Sequence, residues 1–123
     1  MGRSERRTLT PKDLNLEIPD FTFRPNVWTE AFLTGLESID VRNKRIVEIG
    51  VGTGIIGIDL LKRGVKKYVG VDIDARILPI AKQNIEKIVP KFKQRVTLLQ
   101  SDLLESVPSD YLFDVICGCL PQV

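Results

Sequence analysis

Apolar residues along this chain fall into two alternating rhythms. Four short runs, 45–49, 67–71, 95–100 and 113–117, have the length of strands, and the first is mostly β-branched, as a buried strand would be. The stretches before and between them repeat at helical spacing instead. Trp28, Phe32, Leu36 and Ile39 predict an amphipathic helix over 27–38 that packs on a sheet. Residues 55–62 take up the helical period soon after the first strand. Leu78, Ala81, Ile85 and Ile88 form the apolar stripe of a third helix over 75–89.

The punctuation agrees with those elements. Gly64 stops the second helix, and Lys62 and Arg63 in its last turn suit the helix dipole. Asp74 is placed to cap the third helix, Pro79 falls early in it, and Pro90 ends it. Residues 40–44 and 108–110 read as turns, and 21–25 as a short extended segment. Residues 1–20 lack a sustained period and carry Pro11 and Pro19, so they are expected as an N-terminal arm to a core of residues 21–123. Strands alternating with helices imply parallel pairing through right-handed crossovers, hence an α/β chain with a mostly parallel sheet. The sequence stops just after its fourth strand. Open doubly wound sheets usually carry more, and this last strand would leave a bare edge. Truncation of a longer protein is the favoured expectation. An oligomer whose partner chains cover the sheet edge is the alternative.

Composition narrows the function only a little. The 123 residues are the size of one domain, and 43% hydrophobic with 28% charged residues is an ordinary globular balance. A net charge of +2 is too near neutral to argue for nucleic acid or a membrane surface. No apolar run approaches the roughly 20 residues of a membrane span, and no signal peptide is visible, so a cytoplasmic location is expected. Cys117 and Cys119, two apart on an extended strand, point the same way but cannot easily bridge. With no histidine and no second cysteine pair, no metal site is expected.

The chemistry concentrates after the first strand. Gly50, Gly52 and Gly54 alternate between strand and helix, as in a βα unit that cradles a nucleotide. The missing side chains admit a ligand to the backbone, and the N–H groups opening the helix face it. From Gly52 the stretch also reads G-x-G-x-x-G, with Asp72 about 20 residues on, which is the dinucleotide pattern. Either way Asp72, at the end of the second strand, is placed to accept hydrogen bonds from both ribose hydroxyls of an adenosine. Glu48 favours a cationic ligand over a pyrophosphate, which it would repel. Asp102, after the third strand, suits an adenine amine, and Leu103 suits the ring face. The 118–122 loop, stiffened by Pro121, is where a reacting group would be presented.

Four segments in this order and spacing, Val47 to Gly54, Val69 to Asp74, Ser101 to Leu104 and Phe113 to Ile116, resemble class I S-adenosylmethionine-dependent methyltransferases. The resemblance runs from about residue 21 to the end. It implies a doubly wound, Rossmann-like, mostly parallel sheet, here truncated after the fourth strand, with S-adenosyl-L-methionine as cofactor. Gly50, Gly52 and Gly54 would hold its methionine part with Glu48 nearby. Asp72 would bind the ribose, Ile73 would pack on adenine, and Asp102 and Leu103 would border it. Residues 23–30 are similar to the segment before the core in release factor glutamine methyltransferases, so Thr29 and Glu30 would close over the methionine end. Those enzymes carry Asn-Pro-Pro-Tyr after the fourth strand. Here the loop is Cys119-Leu120-Pro121-Gln122, which looks more like that of methionine S-methyltransferases.

The implied reaction is in-line displacement at a sulfonium methyl, in which the protein mainly orients the partners. Cys119, Leu120 and Pro121 are the expected acceptor-side residues, and no general base is assigned. A thioether acceptor has no proton to lose, whereas a nitrogen acceptor would miss the asparagine carbonyl, for which cysteine is a poor substitute. The methyl acceptor, a small-molecule thioether or a protein or nucleic-acid nitrogen, stays unidentified. Two other readings remain. A nicotinamide oxidoreductase would use the glycines and Asp72 but not Glu48 or Asp102, and a non-catalytic cofactor-binding module would use the turn alone.

Overall fold

The computed structural model describes residues 16–21 and 27–118, with side chains for 16–21 and 31–118. In chain order the elements are α1 (Val27–Leu36), β1 (Arg45–Ile49), α2 (Ile55–Lys62), β2 (Lys67–Asp72), α3 (Leu78–Ile88), β3 (Val96–Gln100) and β4 (Val115–Gly118). A 3-10 stretch, Pro90–Arg95, joins α3 to β3. The four strands form one parallel sheet in the order β3-β2-β1-β4.

The strand alternation divides the core in two. Ile46, Tyr68, Val96, Leu98, Val115 and Cys117 face Leu33 and Leu36 of α1, Ile58 and Leu61 of α2, and Ala81 and Ile85 of α3. Val47, Val69 and Val71 face the other way, against Leu104, Val107 and Phe113. Connection handedness accounts for the asymmetry. The steps β1 to β2 and β2 to β3 run in one direction, so right-handed crossovers put both helices on one face. The step from β3 to β4 runs back past β1 and β2, and residues 101–114 cross the opposite face without a helix. Among the described residues the sheet is therefore helix-covered on one side only.

Tyr68 sets the spacing between α2 and the sheet. Its ring is fully buried. A Cβ on Gly57 would stand 2.7 Å from two ring carbons, and one on Gly70 would stand 2.9 Å from the hydroxyl oxygen. The ring occupies the space those two side chains would take. The helix and strand are thus matched at a close approach that only glycine permits.

Three boundaries differ from the sequence expectations by two residues or more. The first helix ends at Leu36 rather than Ser38, and Leu33 and Leu36 are its buried residues, whereas Ile39 lies beyond it and exposed. The third helix begins at Leu78, and its cap position is Ile77, not Asp74. Proline at 79 has no N–H for an earlier turn, so residues 74–77 form turns instead, with Ile77 donating to the Asp74 carbonyl at 3.2 Å. The Asp74 carboxylate accepts from the Arg76 amide at 2.9 Å and its guanidinium at 2.7 Å. The last strand starts at Val115, because Phe113 turns under the opposite face. Part of the expected arm lies on the core, where Leu16 packs, and just past it Phe21 stacks 4.1 Å from the Arg76 guanidinium.

Gly57→Ala is expected to lower unfolding free energy by about 1–3 kcal/mol through overpacking against Tyr68. Chemical denaturation of the single variant and of the Gly57→Ala/Tyr68→Leu pair checks this. The cost of the alanine should shrink when the ring is gone.

Candidate functional site

β1 has β2 on one side and β4 on the other; the chain steps outward from β1 through β2 to β3 and then returns past both to β4, so the direction of the connections reverses beside β1. A crevice opens at the carboxyl end of such a strand pair. The turn 50–54 leaves β1 there. Gly50, Gly52 and Gly54 hold φ values of 85°, 53° and 94°, a backbone region that side chains penalise. The turn is tied to β2 as well as to itself, where the Gly54 amide donates to the Val51 carbonyl at 3.0 Å. The Gly50 and Val51 amides both donate to the Val71 carbonyl, at 2.8 and 3.0 Å. The Gly52 amide donates to the Asp72 carboxylate at 3.2 Å, and the Asp74 amide donates to its other oxygen at 3.0 Å. A Cβ built on Gly52 meets nothing within 4 Å, whereas one on Gly54 would press on Ile85 at 3.2 Å. Gly54 is needed for packing on α3, and Gly52 opens on free space.

The neighbouring strand ends supply apolar walls. Ile73, after β2, is 65% exposed, and Leu103, after β3, is 56% exposed. Leu103 also holds φ at 57°, which costs a leucine about 1–2 kcal/mol. Its turn is fastened by Ser101 donating to the Asp72 carbonyl at 3.0 Å and by the Ser106 amide donating to the Ser101 hydroxyl at 2.9 Å. Asp102 is exposed beside it. Eight of the sequence-expected residues therefore share one edge of the sheet: Glu48, Gly50, Gly52, Gly54, Asp72, Ile73, Asp102 and Leu103. Thr29 and Glu30 fall on α1, with side chains outside the described residues. Cys119, Leu120 and Pro121 lie outside them altogether. β4 ends at Gly118, paired with Ile49.

Glu48 departs from the expectation of a charged carboxylate. It is only 2% exposed and pairs across the sheet with Gly70 on one side and Cys117 on the other. The Tyr68 hydroxyl lies 2.5 Å from its carboxyl oxygen. Burial, with a smaller push from Asp72, raises its pKa to about 8, against the opposing hydrogen bond from Tyr68. The side chain is therefore mostly neutral at pH 7. Burial and the field of Glu48 likewise push the Cys117 thiol up to about 12, so it stays protonated.

Two positions escaped the sequence reading. Tyr68 sits in a run of otherwise small and β-branched residues, and its only signal was that mismatch. Asn84 lies on the buried stripe of α3 and is 2% exposed. Its amide group donates to the Thr53 carbonyl at 2.9 Å and the Glu17 carbonyl at 3.0 Å, and its oxygen accepts from the Glu17 amide at 2.9 Å. It thereby fastens both the glycine turn and the chain before α1. A polar residue three positions after Ala81 on an apolar stripe was the available sign. An open groove of about 580 Å³ near Arg42 and Lys62 lies at the other end of the sheet. It has none of these features.

The raised pKa of Glu48 has a consequence for stability. Between about 4.5 and 8 the folded chain binds more protons than the unfolded one, so this contribution is present at low pH and is lost as pH rises. Glu48→Gln removes it. Denaturant titrations from about pH 5 to about pH 8 should show the variant gaining on the parent by on the order of 3 kcal/mol.

Comparison with known proteins agrees with this geometry. A family model described as ribosomal protein L11 methyltransferase (PrmA) matches residues 28–120. A release factor glutamine methyltransferase of Rhodopirellula baltica is 43% identical over 79 residues, which cover 63% of this chain and 26% of that protein. A ribosomal protein L11 methyltransferase of Glaesserella parasuis is 34% identical over 88 residues, 72% of this chain and 28% of its own length. The chain thus spans about a quarter of either relative. Among solved structures, a ribosomal protein L11 methylase of Lactobacillus delbrueckii aligns with a TM-score of 0.61 at 27% identity, over 73% of this chain and 44% of that one. With about three quarters of its residues inside the family match and the glycine turn, Asp72 and β3-β2-β1-β4 order in place, the chain belongs to the ribosomal protein L11 methyltransferase (PrmA) family of class I S-adenosylmethionine-dependent methyltransferases.

Proposed function

We propose that the chain is the cofactor-binding part of an S-adenosylmethionine-dependent methyltransferase whose acceptor is a protein nitrogen. The observation that carries this reading is the turn itself. Its Gly52 amide is held by Asp72, its Gly52 Cα opens on free space, and exposed Ile73 and Leu103 flank it. These residues fit an adenosyl amino acid. The bare Cα of Gly52 would let the methionine part approach the turn closely, and Asp72 keeps acceptor capacity for a ribose hydroxyl. Ile73 and Leu103 would enclose the adenine, with Asp102 at its amine. Thr29 would lie at the methionine end. When bound, the cofactor supplies an activated methyl on a sulfonium. The chain's part is to orient it, and such orientation supplies up to about 7–11 kcal/mol in favourable cases.

The acceptor class rests on the relatives, whose names give ribosomal protein L11 and a release factor glutamine as targets. One feature favours a second reading. The loop Gly118-Cys119-Leu120-Pro121-Gln122 has no asparagine to accept from a target N–H, and a thioether acceptor such as methionine would need none. Cys119, Leu120 and Pro121 would border the acceptor in either case. The nicotinamide reading is disfavoured by the family match over residues 28–120, which is to a methyltransferase. Among the described residues no helix is long and apolar enough to cross a membrane, which suits a protein that meets its acceptor in water.

Two experiments test this. Calorimetry should show heat with S-adenosylhomocysteine and none with NAD, and Asp72→Ala should weaken the former at least tenfold, since it removes both a ligand acceptor and the tie to Gly52. Heat with NAD alone would reverse the assignment. In the full-length gene product, label from methyl-labelled cofactor should pass to ribosomal protein L11 or a release factor. Transfer to free methionine instead would select the thioether reading.

A further inference from the structure

Tyr68 and Glu48 form a buried polar pair in a face of the sheet that is otherwise apolar. Three glycine-dependent contacts converge on it. Gly57 lets the ring lie under α2, Gly70 leaves room for the hydroxyl, and a Cβ on Gly70 would also stand 2.9 Å from the side chain of Val51, the second residue of the turn. The ring therefore runs along β2 from the middle of the sheet towards its carboxyl edge. It delivers its hydroxyl to a carboxyl two residues before Gly50. A phenylalanine would fill the same space, so packing alone does not call for the oxygen.

We propose that Tyr68 is a positioning residue of the cofactor site: its hydroxyl holds the Glu48 carboxyl at the foot of the glycine turn, and entry of the cationic methionine end of the cofactor expels a proton from that carboxyl to solvent. This rests on the cofactor assignment made above. The groups that act on Glu48 are consistent with it. From β2 they are Tyr68 and Asp72, and from β4 Cys117 faces it across the strand pair. On α2, Asp59 is engaged by Arg63 at 3.5 Å and Lys62 is exposed. No described cation neutralises Glu48, and its burial keeps the proton on it near pH 7. A cation arriving at the turn supplies the missing partner and favours the ionised form. The hydroxyl of Tyr68 can donate to that ionised form, so the hydrogen bond persists through the change.

The test measures binding of S-adenosylmethionine and of uncharged methylthioadenosine to the chain from about pH 6 to about pH 10.5, in buffers of different ionisation enthalpy. The expected result is about one proton released per S-adenosylmethionine below the Glu48 midpoint, with affinity rising up to tenfold per pH unit there and levelling above it. Methylthioadenosine should bind without that slope. Glu48→Gln should remove the slope and proton release that exceed the titration of the free ligand's amine, which is common to both proteins. Tyr68→Phe, which keeps the packing, should move the midpoint upward by about one to two pH units. An unshifted midpoint in Tyr68→Phe, or equal proton counts for the parent and Glu48→Gln, would overturn the proposal while methylthioadenosine binding left the cofactor assignment standing. Failure of both ligands to bind would remove the cofactor assignment and this proposal with it.

Discussion

The Asp72 carboxylate is the constraint on which the site depends. One oxygen accepts from Gly52 and the other from Asp74, so a single side chain holds two loops at adjacent strand ends. A turn with three residues at positive φ has much freedom to lose on folding and needs ties from outside itself. The Val71 carbonyl supplies two of these ties, and the register that pairs Ile49 with Val71 brings it within reach. A slip of one residue would turn every side chain of β1 to the wrong face and break these bonds together.

Below the turn, packing and electrostatics share the same residues. Tyr68 fills the gap left by Gly57 and Gly70 and ends at Glu48. A carboxyl with so little access to water stays neutral rather than bear the cost of an unpaired charge. The local field at the foot of the glycine turn is accordingly weaker than the formal charges of the sequence imply. Asn84 does a parallel service from α3. It satisfies two carbonyls and an amide that the irregular segments at Glu17 and Thr53 present to it.

The two faces of the sheet are built unequally. Three helices cover one face, and among the described residues the other carries Leu104, Val107 and Phe113 over Val47, Val69 and Val71. Leu112 and Ile116 are 67% and 58% exposed on that side or its edge. The reversal of direction after β3 produces this inequality, and the same reversal opens the crevice beside the glycine turn. The binding edge and the thinly covered face thus have one topological origin.

The strands, the glycine turn, Asp72 and the parallel α/β architecture were legible in the residues alone. Each depends on neighbours within a few positions or on a short repeated spacing, and those are written along the chain. The start of α3 was less so, because Pro79 and Asp74 gave opposing local signals and the missing proline N–H prevailed. What only the tertiary structure decided is the state of Glu48 and the work of Tyr68, Gly57 and Asn84. Glu48 and Tyr68 are 20 residues apart, Asn84 and Thr53 are 31 apart, and Asn84 and Glu17 are 67 apart. A side chain's charge and partners follow from how much water is removed around it and which distant groups replace that water, and no local spacing encodes either.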